Sequence, residues 1–178
     1  MKKIIITGTL LISSIIFAQV AIGKAAISTL PDNVTPNPSI SLECGNGNKG
    51  IVLPWVTAAG SVTGAVNGTI IYDTTDKKVK VKLNSGWKDL SIDATGVVDT
   101  TLQNALSDLP NSKTQIGGNP ATDSTPGILV LADTDKAMIL PKTTYSAIVN
   151  PASGMMVYDT TANQLAVFNG TVWTFWKP

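Results

Sequence analysis

Apolar and polar positions alternate with a period of two along much of this chain, and the alternation comes in two copies. Val79, Val81 and Leu83 alternate with Lys78, Lys80 and Lys82, the pattern of a strand with one buried and one wet face. The β-branched and aromatic run Thr69 to Asp73 precedes it, and Trp87 to Leu90 follows. Thr74-Thr75-Asp76-Lys77 and Asn84-Ser85-Gly86 supply the turns, so a three-stranded antiparallel meander is predicted. Gly154-Met155-Met156-Val157-Tyr158-Asp159-Thr160-Thr161, running on to Trp173, repeats Gly68-Thr69-Ile70-Ile71-Tyr72-Asp73-Thr74-Thr75, running on to Trp87. In both copies the tryptophan falls fifteen positions after the tyrosine.

The duplication extends upstream. Ile40 and Leu42 alternate with polar neighbours as a half-buried strand does, and Gly45-Asn46-Gly47-Asn48 marks a turn. Lys49 to Pro54 reads as a second short strand stopped by proline, and Trp55 to Ala65 as a connection. Gln115-Ile116-Gly117-Gly118 echoes Gln19 to Gly23, Gly127 to Leu131 echoes the strand at Ile40, and Lys136 to Pro141 matches Lys49 to Pro54. Between the copies, Asp99 is placed to cap a helix whose apolar seam is Val98, Leu102, Ala105 and Leu109, ending before Pro110. Such a short helix needs a packing partner, either as a linker lying on a sheet or as a small oligomerising stalk. The predicted fold class is mainly β, with two repeated small antiparallel β-meander units joined by a short helix. The divisions are a signal peptide at 1–18, β-repeat unit 1 at 19–91, a helical joint at 92–114 and β-repeat unit 2 at 115–178.

The copies differ where a partner would notice. Lys80 and Lys82 of the first unit become Ala166 and Phe168 in the second, which ends in Val172-Trp173-Thr174-Phe175-Trp176. The second sheet therefore has no wet side, and either the chain covers both faces or one face meets another protein. Trp87 and Trp173 share a hairpin position and are expected to anchor the module core. Trp55, Phe175 and Trp176 have no counterpart in the other copy. With Phe168 they form the candidate partner interface, preferred as a subunit contact, with stacking on sugar rings as the alternative.

Composition narrows the chemistry. Charged residues make up 14%, with 13 basic against 12 acidic, so no basic stripe suits nucleic acid. There is no histidine, which removes the commonest general base and metal ligand together. The Asp-Thr-Thr triplets at 73–75 and 159–161 sit at hairpin turns, where such side chains bond their own backbone. Asp133, Thr134 and Asp135 lack the glycine-spaced loop and closing glutamate of a calcium site. No catalytic, metal or cofactor-binding residue is assigned, and an enzyme is not expected. Lys2 and Lys3 followed by the apolar run Ile4 to Phe17 and the small Ala18 read as an export signal, too short to span a bilayer. Cys44 is then a lone cysteine in an exported chain, read as a small buried hydrophobe rather than a reactive thiol; it lies too far from the signal for lipidation.

The three segments together resemble a repeat of exported proteins of Bacteroidetes-type bacteria and of phage tail-fibre-like proteins. That repeat has a "VGIGT...P...LEV" opening, a "KGLLLPRV" strand and a "GMMVYDTTTNKLNVYNGTAW" hairpin. The opening corresponds to Gln19 to Gly23 with Ser39 to Cys44, and the strand to Lys49 to Pro54 and Lys136 to Pro141. The hairpin corresponds to Gly68 to Trp87 and, more closely, Gly154 to Trp173. The resemblance implies a structural module in a fibre that often trimerises. The self-cleaving chaperone domain of some such fibres and a type IX sorting domain are not expected here. The expected function is an exported, non-enzymatic structural or adhesive protein of the cell surface, extracellular space or periplasm. It would self-associate as a trimer or fibre or dock on another surface protein, with a carbohydrate-binding module as the alternative.

Overall fold

The computed structural model describes residues 19–101, 103–107, 109 and 112–177. The export signal read in residues 1–18 lies outside the described residues. In the first half the strands are β1 (Val20–Ile22), β2 (Ile40–Cys44), β3 (Ile51–Val52), β4 (Trp55–Val56), β5 (Ile70–Asp73), β6 (Lys78–Leu83) and β7 (Gly86–Asp89), with a 3-10 turn at Ala59–Ser61. The same order recurs in the second half. There the strands are β8 (Thr114–Ile116), β9 (Leu129–Leu131), β10 (Ala137–Ile139), β11 (Lys142–Thr143), β12 (Met155–Asp159), β13 (Gln164–Phe168) and β14 (Trp173–Trp176), with the 3-10 turn at Tyr145–Ala147.

Each half builds the same hairpin sheet, β4-β5-β6-β7 and β11-β12-β13-β14. Three strands of each are antiparallel, and the short leading strand runs parallel to the first of them. That leading strand was missed in the sequence, where Trp55 to Ala65 reads as a connection. Pro54 and Pro141 explain it. Proline has no N–H but keeps its carbonyl, and these two accept the N–H groups of Tyr72 and Tyr158, both at 2.9 Å. Asp73 closes its turn by accepting the N–H groups of Thr75 and Asp76 at 3.0 Å each, and that of Ala59 at 2.8 Å. Asp159 does the same with Thr161 at 2.8 Å, Ala162 at 3.0 Å and Tyr145 at 3.4 Å. The Asp-Thr-Thr triplets thus tie the hairpin turn to the 3-10 turn.

The halves exchange strands. β3 leaves its own unit to pair antiparallel with β12, and β10 returns to pair parallel with β2. A shared core sits between the two hairpins: Tyr72, Val79, Met156 and Val167 are buried, with Leu53, Trp55, Ile70, Leu90, Leu140 and Leu165 packed on them. Side chains of this size each contribute about 1.5–3 kcal/mol when fully buried, so neither hairpin keeps its core without the other.

Two further expectations are corrected. No α-helix occurs among the described residues. Residues 92–98 are irregular, and Asp99 accepts the N–H (3.0 Å) and hydroxyl (2.5 Å) of Thr101 two residues on, an Asx turn instead of a helix cap. Of the proposed seam, Leu102 lies outside the described residues; Val98 packs on the shared core while Leu109 is 75% exposed, so these two share no apolar surface that would support a helix. The segment instead threads between the halves. Asn169 Nδ2 donates to Asp93 Oδ1 at 2.7 Å, Ser153 Oγ to the Val97 carbonyl at 2.5 Å, and Tyr72 Oη to the Asn169 carbonyl at 2.6 Å. A Cβ on Gly96 would lie 2.0 Å from the Asn169 carbonyl oxygen, so this crossing requires glycine. The second correction concerns Lys80. Its side of β6 is not wet, because Lys80 is buried.

Candidate functional site

Lys80 lies in a ring of carboxylates. Its Nζ is 3.3 Å from Asp73 Oδ2 and 3.8 Å from Asp89 Oδ1, and it donates to Asp76 Oδ2. Lys78 adds a 2.8 Å contact to Asp89. Burial disfavours the Lys80 ammonium, but hydrogen bonds and attraction from Asp76 and Asp73 outweigh it and hold its pKa above the usual lysine value. This face of the first sheet is polar and internally satisfied.

The second sheet replaces the charged partners of this cluster. Counting from each hairpin's tyrosine, Asp76, Lys80 and Asp89 are replaced by Ala162, Ala166 and Phe175, and Tyr145 stands where the first half has Ala59. The turn aspartate is kept, as Asp159, and Trp173 stands where the first half has Trp87. Ala166 pairs across the ladder with Phe175, and Phe168 with Trp173, so these four share one sheet face. Tyr145 meets Phe175 edge-on with centroids 4.9 Å apart and Trp173 at 5.7 Å, while Phe168 lies 5.2 Å from Trp173. Ile148, Val157 and Ala166 are buried beneath them. Phe175 is 40% exposed and Val172 39%. An ion cluster in one half has become a partly open aromatic surface in the other.

Of the four residues expected at the interface, the structure unites Phe168 and Phe175. Trp176 lies on the opposite face, paired with Leu165, and its Nε1 donates to the Leu90 carbonyl; the residue is 38% exposed. Trp55 is half-buried against the shared core, and its Nε1 donates to the Ser153 carbonyl at 2.8 Å. One edge of Trp55 borders an open cleft of roughly 350 Å³ with Val52, Leu53, Gln103 and Ala152, a lining with a single polar side chain to read a ligand. Tyr145 was missed. Its position opposite Ala59 in the repeat was the signal that could have found it. Among the described residues no group of three or more His, Cys, Asp or Glu is placed to hold a metal, and no helix is long and apolar enough to cross a membrane.

Residues 115–177 match the model of a protein family described as a phage tail like trimerisation region. The match coincides with the second half of the repeat, the half that bears the aromatic face. No curated protein and no solved structure matches the chain. The similarity and the architecture together define a class: a β-rich, strand-exchanged repeat, part of which is similar to a phage tail like trimerisation region.

Proposed function

We propose that this protein is a non-enzymatic structural element that trimerises, with its second half supplying part of the contact, and serves in a fibre-like assembly outside the cytoplasm. The observation that carries the reading is the match of residues 115–177 to a phage tail like trimerisation region. The aromatic face formed by Phe168, Trp173, Phe175 and Tyr145 on that half supports it, because exposed aromatic side chains contribute large contact area at interfaces. Export follows from the signal read in residues 1–18, and a surface or adhesive role from the resemblance of the repeats to exported fibre proteins.

The test is light scattering coupled to size exclusion on the mature protein across a wide concentration range. The expected mass is three times the monomer, with fibres or trimers in electron micrographs. Phe175→Asp, which installs the aspartate that the first half carries as Asp89, should shift the population to smaller species. A monodisperse monomer at every concentration would overturn the proposal.

A further inference from the structure

The strand that each unit exchanges has two edges, and each half uses a different one. In β3, the Leu53 N–H donates to the Gly154 carbonyl at 3.1 Å and Ile51 pairs with Met156, so Ile51 and Leu53 turn their backbone groups toward β12. In β10, the Ala137 N–H donates to the Ser39 carbonyl at 2.8 Å and Ile139 pairs with Glu43, so Ala137 and Ile139 turn theirs toward β2. Lys49 to Pro54 and Lys136 to Pro141 correspond residue by residue, so Ala137 and Ile139 are the counterparts of Gly50 and Val52. The edge that pairs in one half is the edge that no described strand pairs in the other.

The receiving strands show the same complementarity. In β9, the Ile128 carbonyl accepts the Thr114 N–H and the Ala132 N–H donates to the Ile116 carbonyl, so the even-numbered residues face β8. Leu129 and Leu131 therefore present N–H and C=O to an edge that no described strand occupies. The counterpart of that edge, on β2, is filled by β10. The side chains record the difference. Leu42 is 2% exposed on β2, whereas Leu129, at the same place relative to the neighbouring parallel strand, is 47% exposed. Val52, on the unfilled edge of β3, is 44% exposed. The first hairpin matches this pattern, since Ile70 on β5 occupies the place that Met156 fills on β12 and no described strand pairs with it from that side.

We infer that a second copy of this chain fills these edges head to tail. Its β3 adds in parallel to β9, and its β5 adds antiparallel to β10, reproducing between copies the two pairings that join the halves within one. Such a contact is heterologous: it uses different surfaces on the two partners, and it closes into a ring or continues as a filament. Exposed edge strands are templates for this addition. The inference rests on the self-association proposed above and adds where the backbones join.

Register transfers from the internal pairings. Val52 faces Met155 within the chain, so Ile139 should face Thr69 of the next copy, as a non-hydrogen-bonded antiparallel pair whose close approach suits a disulfide. In a Cys44→Ser background, Ile139→Cys with Thr69→Cys should give intermolecular disulfide species on a non-reducing gel. Val52→Cys with Met155→Cys should link only within the chain, and single variants should give neither product. An assembly that persists in light scattering without the intermolecular link, while the internal control links, overturns the edge pairing and leaves self-association standing. A monomer overturns both. As a second variant, Leu129→Pro removes an edge N–H that β8 does not use. It should keep the far-UV spectrum and lose the assembly; an assembly of parental size and stability would overturn the inference.

Discussion

Glu43 is the sharpest test of how the first parallel sheet is held. It lies on the central strand β2 between β1 and β10, and is 1% exposed. The Ser28 N–H donates to Oε1 at 2.7 Å, the Ser28 hydroxyl to Oε2 at 2.7 Å, the Gln19 side-chain amide to Oε1 at 3.0 Å, and the Lys24 ammonium to Oε2. Burial raises the carboxyl pKa, but the donors from Lys24 and Ser28 outweigh it and bring it from 4.5 down to about 2. Because the folded pKa lies below the unfolded one, this contribution is complete above about pH 4.5 and is lost as pH falls toward 2. At about 1.4 kcal/mol per pKa unit, the shift corresponds to roughly 3 kcal/mol. Urea unfolding of the parent and of Glu43→Gln, measured from pH 7 to pH 2, isolates it from the other carboxylates. The variant should be less stable by about 2–3 kcal/mol at pH 7, and the gap should close through the window between pH 4.5 and 2. A gap that stays constant with pH would show that the carboxylate charge does not hold the sheet.

Two further substitutions probe the joint and the turn. Tyr72→Phe removes the buried hydroxyl that donates to Asn169 at 2.6 Å and leaves that carbonyl short of a partner; a loss of about 1–2 kcal/mol in chemical denaturation is expected. Lys77 and Asn163 hold the same left-handed turn position, at φ 58° and 53°. Asparagine tolerates that conformation better than lysine, so Lys77→Asn should raise stability by a few tenths of a kcal/mol, read as a higher melting temperature.

The hairpins were legible because their signals are local. Alternation along Val79 to Leu83, the β-branched run to Asp73 and the Asp-Thr-Thr turns act over neighbouring residues, and the repeat doubles each of them. The pairings of the short strands were not legible. β3 and β4 are two residues each, too short to carry a period; β4 adds to the adjoining hairpin at β5, whereas β3 crosses to the distant one at β12. The helix failed for a related reason. The spacing of Val98 and Leu109 is helical, but the glycine crossing at Gly96 and the Asx turn at Asp99 commit the backbone first. Lys80 misled because alternation tells which residues share a face and not what covers it. Asp73, Asp76 and Asp89 lie on three different elements, and only their convergence shows that the lysine is buried. Of the aromatic face, Phe168 and Phe175 stood out by comparison between the copies, whereas Tyr145 required knowing that the 3-10 turn folds over that sheet.

The two halves share a backbone and differ in what their outer faces can tolerate, and that difference bears on how copies meet. An exchanged strand alone would not distinguish one half from the other, since the edges of β3 and β10 are interchangeable by construction. The faces break the symmetry. The first half closes its polar face with a lysine compensated by three aspartates, a cluster with little left over for a partner. The second half removes those charges and builds an aromatic surface with Phe175 partly in solvent. Head-to-tail pairing by edges then sets direction, and the aromatic face gives only one half a surface that gains by being covered. A repeat with two identical hairpins would pair in several registers and orientations. Making one polar and one apolar penalises the wrong ones, because burying the charged cluster against an aromatic face would cost several kcal/mol of desolvation.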